Sequence, residues 1–125
     1  MSERQMPPVR CVMRWYRDLY LGERVKKKAG RIRWKVEHNA GQLGIYLLTL
    51  PTNKQNLLDI IPASNLVQKG YPKSGLFVIG IEKGYEDAAY MAASVVMEVY
   101  EKTGGFDVAA YIQKRDAQLG KDRRS

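Results

Sequence analysis

Leu76-Phe77-Val78-Ile79-Gly80-Ile81-Glu82-Lys83-Gly84-Tyr85-Glu86-Asp87-Ala88-Ala89-Tyr90-Met91-Ala92 is the stretch on which the fold turns. Its first six residues are apolar apart from Gly80, as expected of a central strand buried on both faces. Gly84 interrupts the run, and the period then changes. Ala88, Met91, Ala92, Val95, Val96 and Val99 recur at helical spacing, which predicts a helix over 85–102 with one buried stripe. Glu86 and Asp87 fall in its first turn, where the helix dipole favours negative charge. Ala88, Ala89, Ala92, Ala93 and Ser94 are small enough to let that helix lie close on a sheet. Thr103-Gly104-Gly105 ends it.

Upstream, Gly44-Ile45-Tyr46-Leu47-Leu48-Thr49-Leu50 is a second apolar run, closed by Pro51. Leu57-Leu58-Asp59-Ile60-Ile61 is a third, closed by Pro62. The short polar turn between them predicts an antiparallel hairpin. Ser64 is placed to cap a helical turn over 63–69, and 70–75 reads as a loop. Downstream, Asp107 is placed to cap a last helix that reaches about Gln118 and buries Val108, Tyr111 and Ile112. Residues 119–125 read as a frayed basic tail.

The first third of the chain is more ambiguous. Residues 1–8 read as a loose arm because of Pro7-Pro8. In 9–21, Val12, Trp15, Tyr16 and Leu19 follow helical spacing, while Cys11, Met13 and Trp15 alternate as a strand would; the reading taken is a short helix. In 23–38, Val25, Ala29, Ile32 and Val36 share a helical stripe, and Asn39-Ala40-Gly41 supplies a stop, with Gly41 free to take a positive φ. Gly30 in mid-helix costs about 1 kcal/mol against alanine. The helix is the reading taken; as a strand, 31–37 would place Ile32, Trp34 and Val36 on one face and Arg31, Arg33 and Lys35 on the other.

The expected fold is therefore α+β: one domain of 125 residues, with a small three- or four-stranded mixed sheet packed by helices as a single pair of layers. A hydrophobic fraction of 45% and a charged fraction of 27% exclude a disordered, collagen-like or membrane-embedded chain. One cysteine allows no intrachain disulfide, and no run approaches the ~18 apolar residues of a membrane span. Nor does the start carry the apolar core of a signal peptide, so the expected compartment is the cytoplasm.

The net charge is +8, and it is unevenly placed. Residues 1–37 carry a balance of +7, 38–112 a balance of −2 and 113–125 a balance of +3. Arg24, Lys26, Lys27, Lys28, Arg31, Arg33 and Lys35 fall within twelve positions, with Trp34 among them. Dense cations with an aromatic ring suit a polyanion such as nucleic acid, whose phosphates meet the charges and whose bases stack on the ring. The same run would also serve as a solvated face.

Other chemistries find less support. One histidine and one cysteine give no zinc spacing, and no metal or cofactor is expected. Cys11 and His38 are the single thiol–imidazole pair, and their separation in sequence gives no reason to join them. Gly80-Ile81-Glu82-Lys83-Gly84 matches neither a Walker loop nor a dinucleotide fingerprint. Glu86 and Asp87 would also oppose an anion at the helix start. Asp59 would share a strand face with Leu57 and Ile61, which makes it an edge residue, or a buried carboxylate available to a small enzyme. Trp15, Tyr16 and Tyr20, if exposed, would suit a protein–protein contact or a homodimer.

Trp15-Tyr16-Arg17-Asp18-Leu19-Tyr20-Leu21-Gly22, Tyr46-Leu47-Leu48-Thr49-Leu50, Asn56-Leu57-Leu58-Asp59-Ile60-Ile61-Pro62, Gly84-Tyr85-Glu86-Asp87-Ala88 and Thr103-Gly104-Gly105-Phe106-Asp107-Val108 resemble phrases of a group of short uncharacterised bacterial proteins, over about residues 14–112. The resemblance implies a freestanding bacterial protein and transfers no functional residue. The leading expectation is thus a non-enzymatic binding or adaptor module that uses its cationic segment for nucleic acid or another polyanion.

Overall fold

The structure, a computed structural model, describes residues 13–51, 56–67 and 75–124. The arm at 1–8 and Cys11 lie outside them. Among the described residues are four strands: β1 (Arg14–Leu21), β2 (Ile45–Thr49), β3 (Asp59–Pro62) and β4 (Phe77–Lys83). Three α-helices accompany them: α1 (Ala29–Glu37), α2 (Tyr85–Thr103) and α3 (Val108–Arg124). The sheet order is β1-β4-β2-β3. β4 pairs parallel with β1 and antiparallel with β2, and β2 and β3 form the antiparallel hairpin. The α+β class, the mixed sheet, the hairpin and the central position of β4 agree with the sequence reading.

The helices divide over both faces of the sheet instead of lying in one layer. On the first face, Val25, Ile32 and Val36 pack with Met13, Ile45, Leu47, Ile61, Val78 and Ile81. On the second, Ala88, Val95 and Val99 of α2 and Val108 and Ile112 of α3 pack with Tyr16, Leu48, Leu50, Phe77 and Ile79. The core residues of β2 and β4 are accordingly buried on either side, and each such Val, Leu or Ile removed from water contributes about 1.5–3 kcal/mol.

This double covering explains why residues 14–21 form a strand where helical spacing suggested a helix. Met13, Trp15 and Leu21 join the first cluster while Tyr16 and Tyr20 join the second. Apolar residues pointing both ways from a strand reproduce i, i+3, i+4 spacing by coincidence. The fourth strand is therefore 14–21, and residues 31–37 are helical.

β4 changes face in its middle. Val78 and Ile81 belong to the first cluster, Phe77 and Ile79 to the second. Leu48 pairs with Gly80 and Thr49 with Val78, so β4 carries one more residue than β2 at that point, a β-bulge. Gly80 makes the bulge fit: a Cβ there would lie 3.1 Å from Met91 Sδ and 3.1 Å from the Tyr20 carbonyl oxygen.

The helix ends follow local chemistry. Asp107 Oδ1 accepts the Ala110 N–H at 3.1 Å, the expected cap of α3. Gly104, with φ 80°, closes α2. At the end of α1 the positive φ belongs to Asn39 (59°), not to Gly41. The Ala40 N–H reaches back to the Lys35 carbonyl at 2.8 Å, the long bond of a Schellman turn. The C-terminal segment continues α3 through residue 124 rather than fraying from 119. Leu119 packs on the second cluster, and Arg17 lays its guanidinium against Gly120, where a Cβ would stand 3.0 Å from Cζ. These contacts hold the last turns to β1.

Candidate polyanion site

The chain leaves β1 at Gly22, whose carbonyl accepts the N–H groups of Val25 and Lys26 at 3.0 and 3.1 Å. This turn leads through a 3₁₀ turn, Lys26–Lys28, into α1. Val25, Ile32 and Val36 are buried against the sheet. Their positions fix the orientation of every other residue on the helix. Arg24, Lys28, Arg31 and Lys35 repeat at nearly the same spacing, displaced by one residue, so they run along the flank of the buried stripe.

That flank opens onto a cavity of about 410 Å³. It is lined by Arg24, Lys28, Arg31 and Lys35, and by Lys83 at the end of β4. Val25, Ile32, Ile45 and the loop residues Gly41, Gln42 and Leu43 complete it. The loop is held by the Gly84 N–H donating to the Gly44 carbonyl at 2.8 Å and by Gln42 Nε2 donating to the Ile32 carbonyl at 3.3 Å. Five cations and no acidic side chain line the walls.

Arg24 is held in place, with Nη2 donating to Asp87 Oδ2 at 2.5 Å and to the Lys83 carbonyl at 3.0 Å. Among the described residues, Lys28, Arg31, Lys35 and Lys83 make no ion pair. The ionisable groups of the cavity are ammonium and guanidinium alone. Such walls attract and orient an anion, and they offer no carboxylate, imidazole or hydroxyl to move a proton.

The remaining residues of the basic segment lie elsewhere. Lys26 Nζ donates to Glu23 Oε2 at 3.0 Å. Lys27 is exposed and outside the lining. The Arg33 guanidinium lies 4.7 Å over the Trp15 ring, and Trp15 Nε1 donates to Glu37 Oε2 at 2.8 Å. Trp34 is 56% exposed and stacks on His38, with ring centres 4.1 Å apart and planes 15° apart. His38 Nδ1 lies 2.8 Å from the Trp34 carbonyl oxygen. Lys83 was not singled out from the sequence. No local pattern distinguishes it, because it reaches the site only through the pairing of β4 inside the sheet.

Asp59 opens β3, an edge strand of the sheet. It accepts from Asn56 Nδ2 at 3.0 Å and does not line the cavity. Tyr16 is 1% exposed and Trp15 and Tyr20 are half-buried, so these aromatics pack within the molecule instead of forming an exposed patch.

A second polar cluster joins β1, α2 and α3. Glu98 accepts from Tyr20 at 3.0 Å and from Tyr111 at 2.6 Å. Arg115 Nε donates to the Tyr16 hydroxyl at 2.8 Å, and its Nη2 pairs with Asp18 Oδ2 at 2.5 Å. Burial is the main cause of the raised phenol pKa values. It pushes Tyr16 up to about 12, with Arg115 pulling the other way. Tyr20 and Tyr111 are raised by burial and then by donating to the Glu98 carboxylate, which favours their protonated forms. The Asp18 hydrogen bond raises Arg115. Asp116, 3% exposed, accepts the Arg17 N–H at 2.9 Å and Arg17 Nη1 at 2.7 Å. These groups satisfy one another and clasp α3 to β1.

No helix among the described residues is long and apolar enough to cross a membrane. No protein-family model, curated protein or solved structure matches the chain.

Proposed function

We propose that this protein is a non-enzymatic binding module for a polyanion, with nucleic acid as its ligand. The observation that carries the reading is the convergence of Arg24, Lys28, Arg31, Lys35 and Lys83 on one concavity without an acidic side chain in its walls. Like charges held together raise the local potential and draw in a multiply charged ligand. A ligand that neutralises them also releases its own condensed counterions, which makes the affinity fall steeply with salt. A lining whose ionisable side chains are lysine and arginine alone, with no carboxylate or imidazole beside them, favours binding over catalysis.

The test is fluorescence anisotropy with labelled DNA and RNA oligonucleotides across a salt series. With four to five phosphates engaged, affinity should fall about 50- to 130-fold between 50 and 200 mM salt for a single strand, and about 150- to 500-fold for a duplex. The triple variant Lys28→Glu, Arg31→Glu, Lys35→Glu should lose binding by about 100-fold or more. The double variant Lys26→Glu, Lys27→Glu alters residues outside the cavity and should lose far less. Salt-indifferent binding, equal losses in the two variants, or no binding to either nucleic acid would overturn the proposal.

A further inference from the structure

Gly30 occupies the second position of a nine-residue helix, where alanine would be more stable, and no close approach requires a glycine there. A Cβ added at this position would meet no heavy atom within 4 Å. Its φ is not positive. Neither packing nor backbone conformation explains the residue. Its effect on the surface does.

Gly30, Trp34 and His38 succeed one another at i, i+4 and i+8, along a single ridge of α1. Trp34 covers His38 on one side, with the two rings stacked. Toward the helix N-terminus, where a helical side chain leans, the neighbour at i−4 is Gly30, which has no side chain to lay against the indole. The indole is 56% exposed. The next ridge, one residue along, carries Arg31 and Lys35 at the same i, i+4 spacing, and both line the cationic cavity. A stacking surface and an anion surface therefore run side by side on one helix.

We infer that the protein takes its nucleic acid as a single strand, stacking an unpaired base on the open side of the Trp34 indole above Gly30 while the adjoining phosphates enter the cavity. This rests on the polyanion reading above and adds the form of the ligand. A duplex keeps its bases stacked on one another and offers no free face, whereas every unpaired base offers one. The His38 ring backs the indole and helps hold it in one orientation.

The experiment compares three probes under one buffer: a labelled oligothymidylate, a duplex of the same length, and inorganic polyphosphate as an unlabelled competitor. The single strand should bind more tightly than the duplex. Trp34→Ala should weaken oligothymidylate binding about 10-fold or more and leave competition by polyphosphate unchanged. Trp34→Phe should restore most of the loss. Gly30→Leu supplies the opposite control. Leucine is a better helix former than glycine, so thermal stability should rise while oligothymidylate binding falls and polyphosphate binding holds. Equal affinity for strand and duplex would overturn the inference and leave the polyanion reading standing. So would strand binding untouched by both Trp34→Ala and Gly30→Leu, or equal loss of polyphosphate in these variants. Failure of all three probes to bind would remove both.

Discussion

The two faces of the sheet use their charges in opposite ways. On the α2/α3 face, Asp116 binds Arg17, Asp18 binds Arg115, and Glu98 binds two tyrosines, so the charged groups are matched inside the fold. On the α1 face, four of the five cavity cations have no ion-pair partner among the described residues. The basic residues thus have different fates. Arg14, Arg17 and Arg115 hold the molecule together, while Lys28, Arg31, Lys35 and Lys83 remain available to something outside it. The number of basic residues does not define a binding face; the number left without acidic neighbours does.

The largest expected effect on stability falls on the matched face. Asp116→Ala removes the acceptor of both the Arg17 backbone N–H and its guanidinium. Because that guanidinium is partly solvated, with a side-chain exposure of 41%, the loss should be about 2–3 kcal/mol by chemical denaturation. A loss below about 0.5 kcal/mol, the size of an ordinary surface change, would erase the contrast between the faces.

Alkali should act on the same face. Tyr16, Tyr20 and Tyr111 hold their protons more tightly folded than unfolded. The stability this gives is complete below the ordinary tyrosine pKa of about 10. It is lost as pH rises from there through the Tyr16 value of about 12. Phenolate absorbance followed together with circular dichroism should show these three rings ionising late, as the fold is lost. Their ionisation near pH 10 in an intact fold would contradict the burial argument.

The smallest effect belongs to the cavity. Lys28→Gln, Arg31→Gln and Lys35→Gln together remove like charges that support no intramolecular pair. The change in unfolding free energy should lie within about 0.5 kcal/mol of zero, or be slightly stabilising. A clear destabilisation would mean that these cations serve the fold, and the distinction between the faces would have to be redrawn.

Particular residues show how far the sequence could be read. The run at 76–81 is legible because it is short and apolar throughout, and the helix stripe from Ala88 to Val99 because it keeps one period over its full length. The hairpin of β2 and β3 followed from two apolar runs, each closed by a proline. The cap at Asp107 was visible in the sequence for the same local reason. Residues 14–21 mislead because apolar residues on both faces of a strand, interleaved with charged ones, happen to fall at helical spacing. The order of the C-terminal turns has no local signal, because the Arg17 guanidinium that lies against Gly120 comes from about a hundred residues away in sequence. Four of the cavity cations were in the candidate set, together with three basic residues and a tryptophan that lie outside the lining. Asp59, the candidate carboxylate, proved to be an edge residue.

From its own residues the chain determined which segments would be buried, where its clearest helix, α2, would begin and end, and that one early segment would be densely cationic. These are properties of neighbours in sequence: apolar spacing, capping groups and charge density act over a turn or a strand. The tertiary structure decided that helices would cover both faces, that Lys83 would share one cavity with Arg31 and Lys35, and which cations would meet a carboxylate. Those outcomes depend on distances between residues far apart in the chain, and burial of the Val25, Ile32 and Val36 stripe sets those distances by fixing how α1 is turned against the sheet.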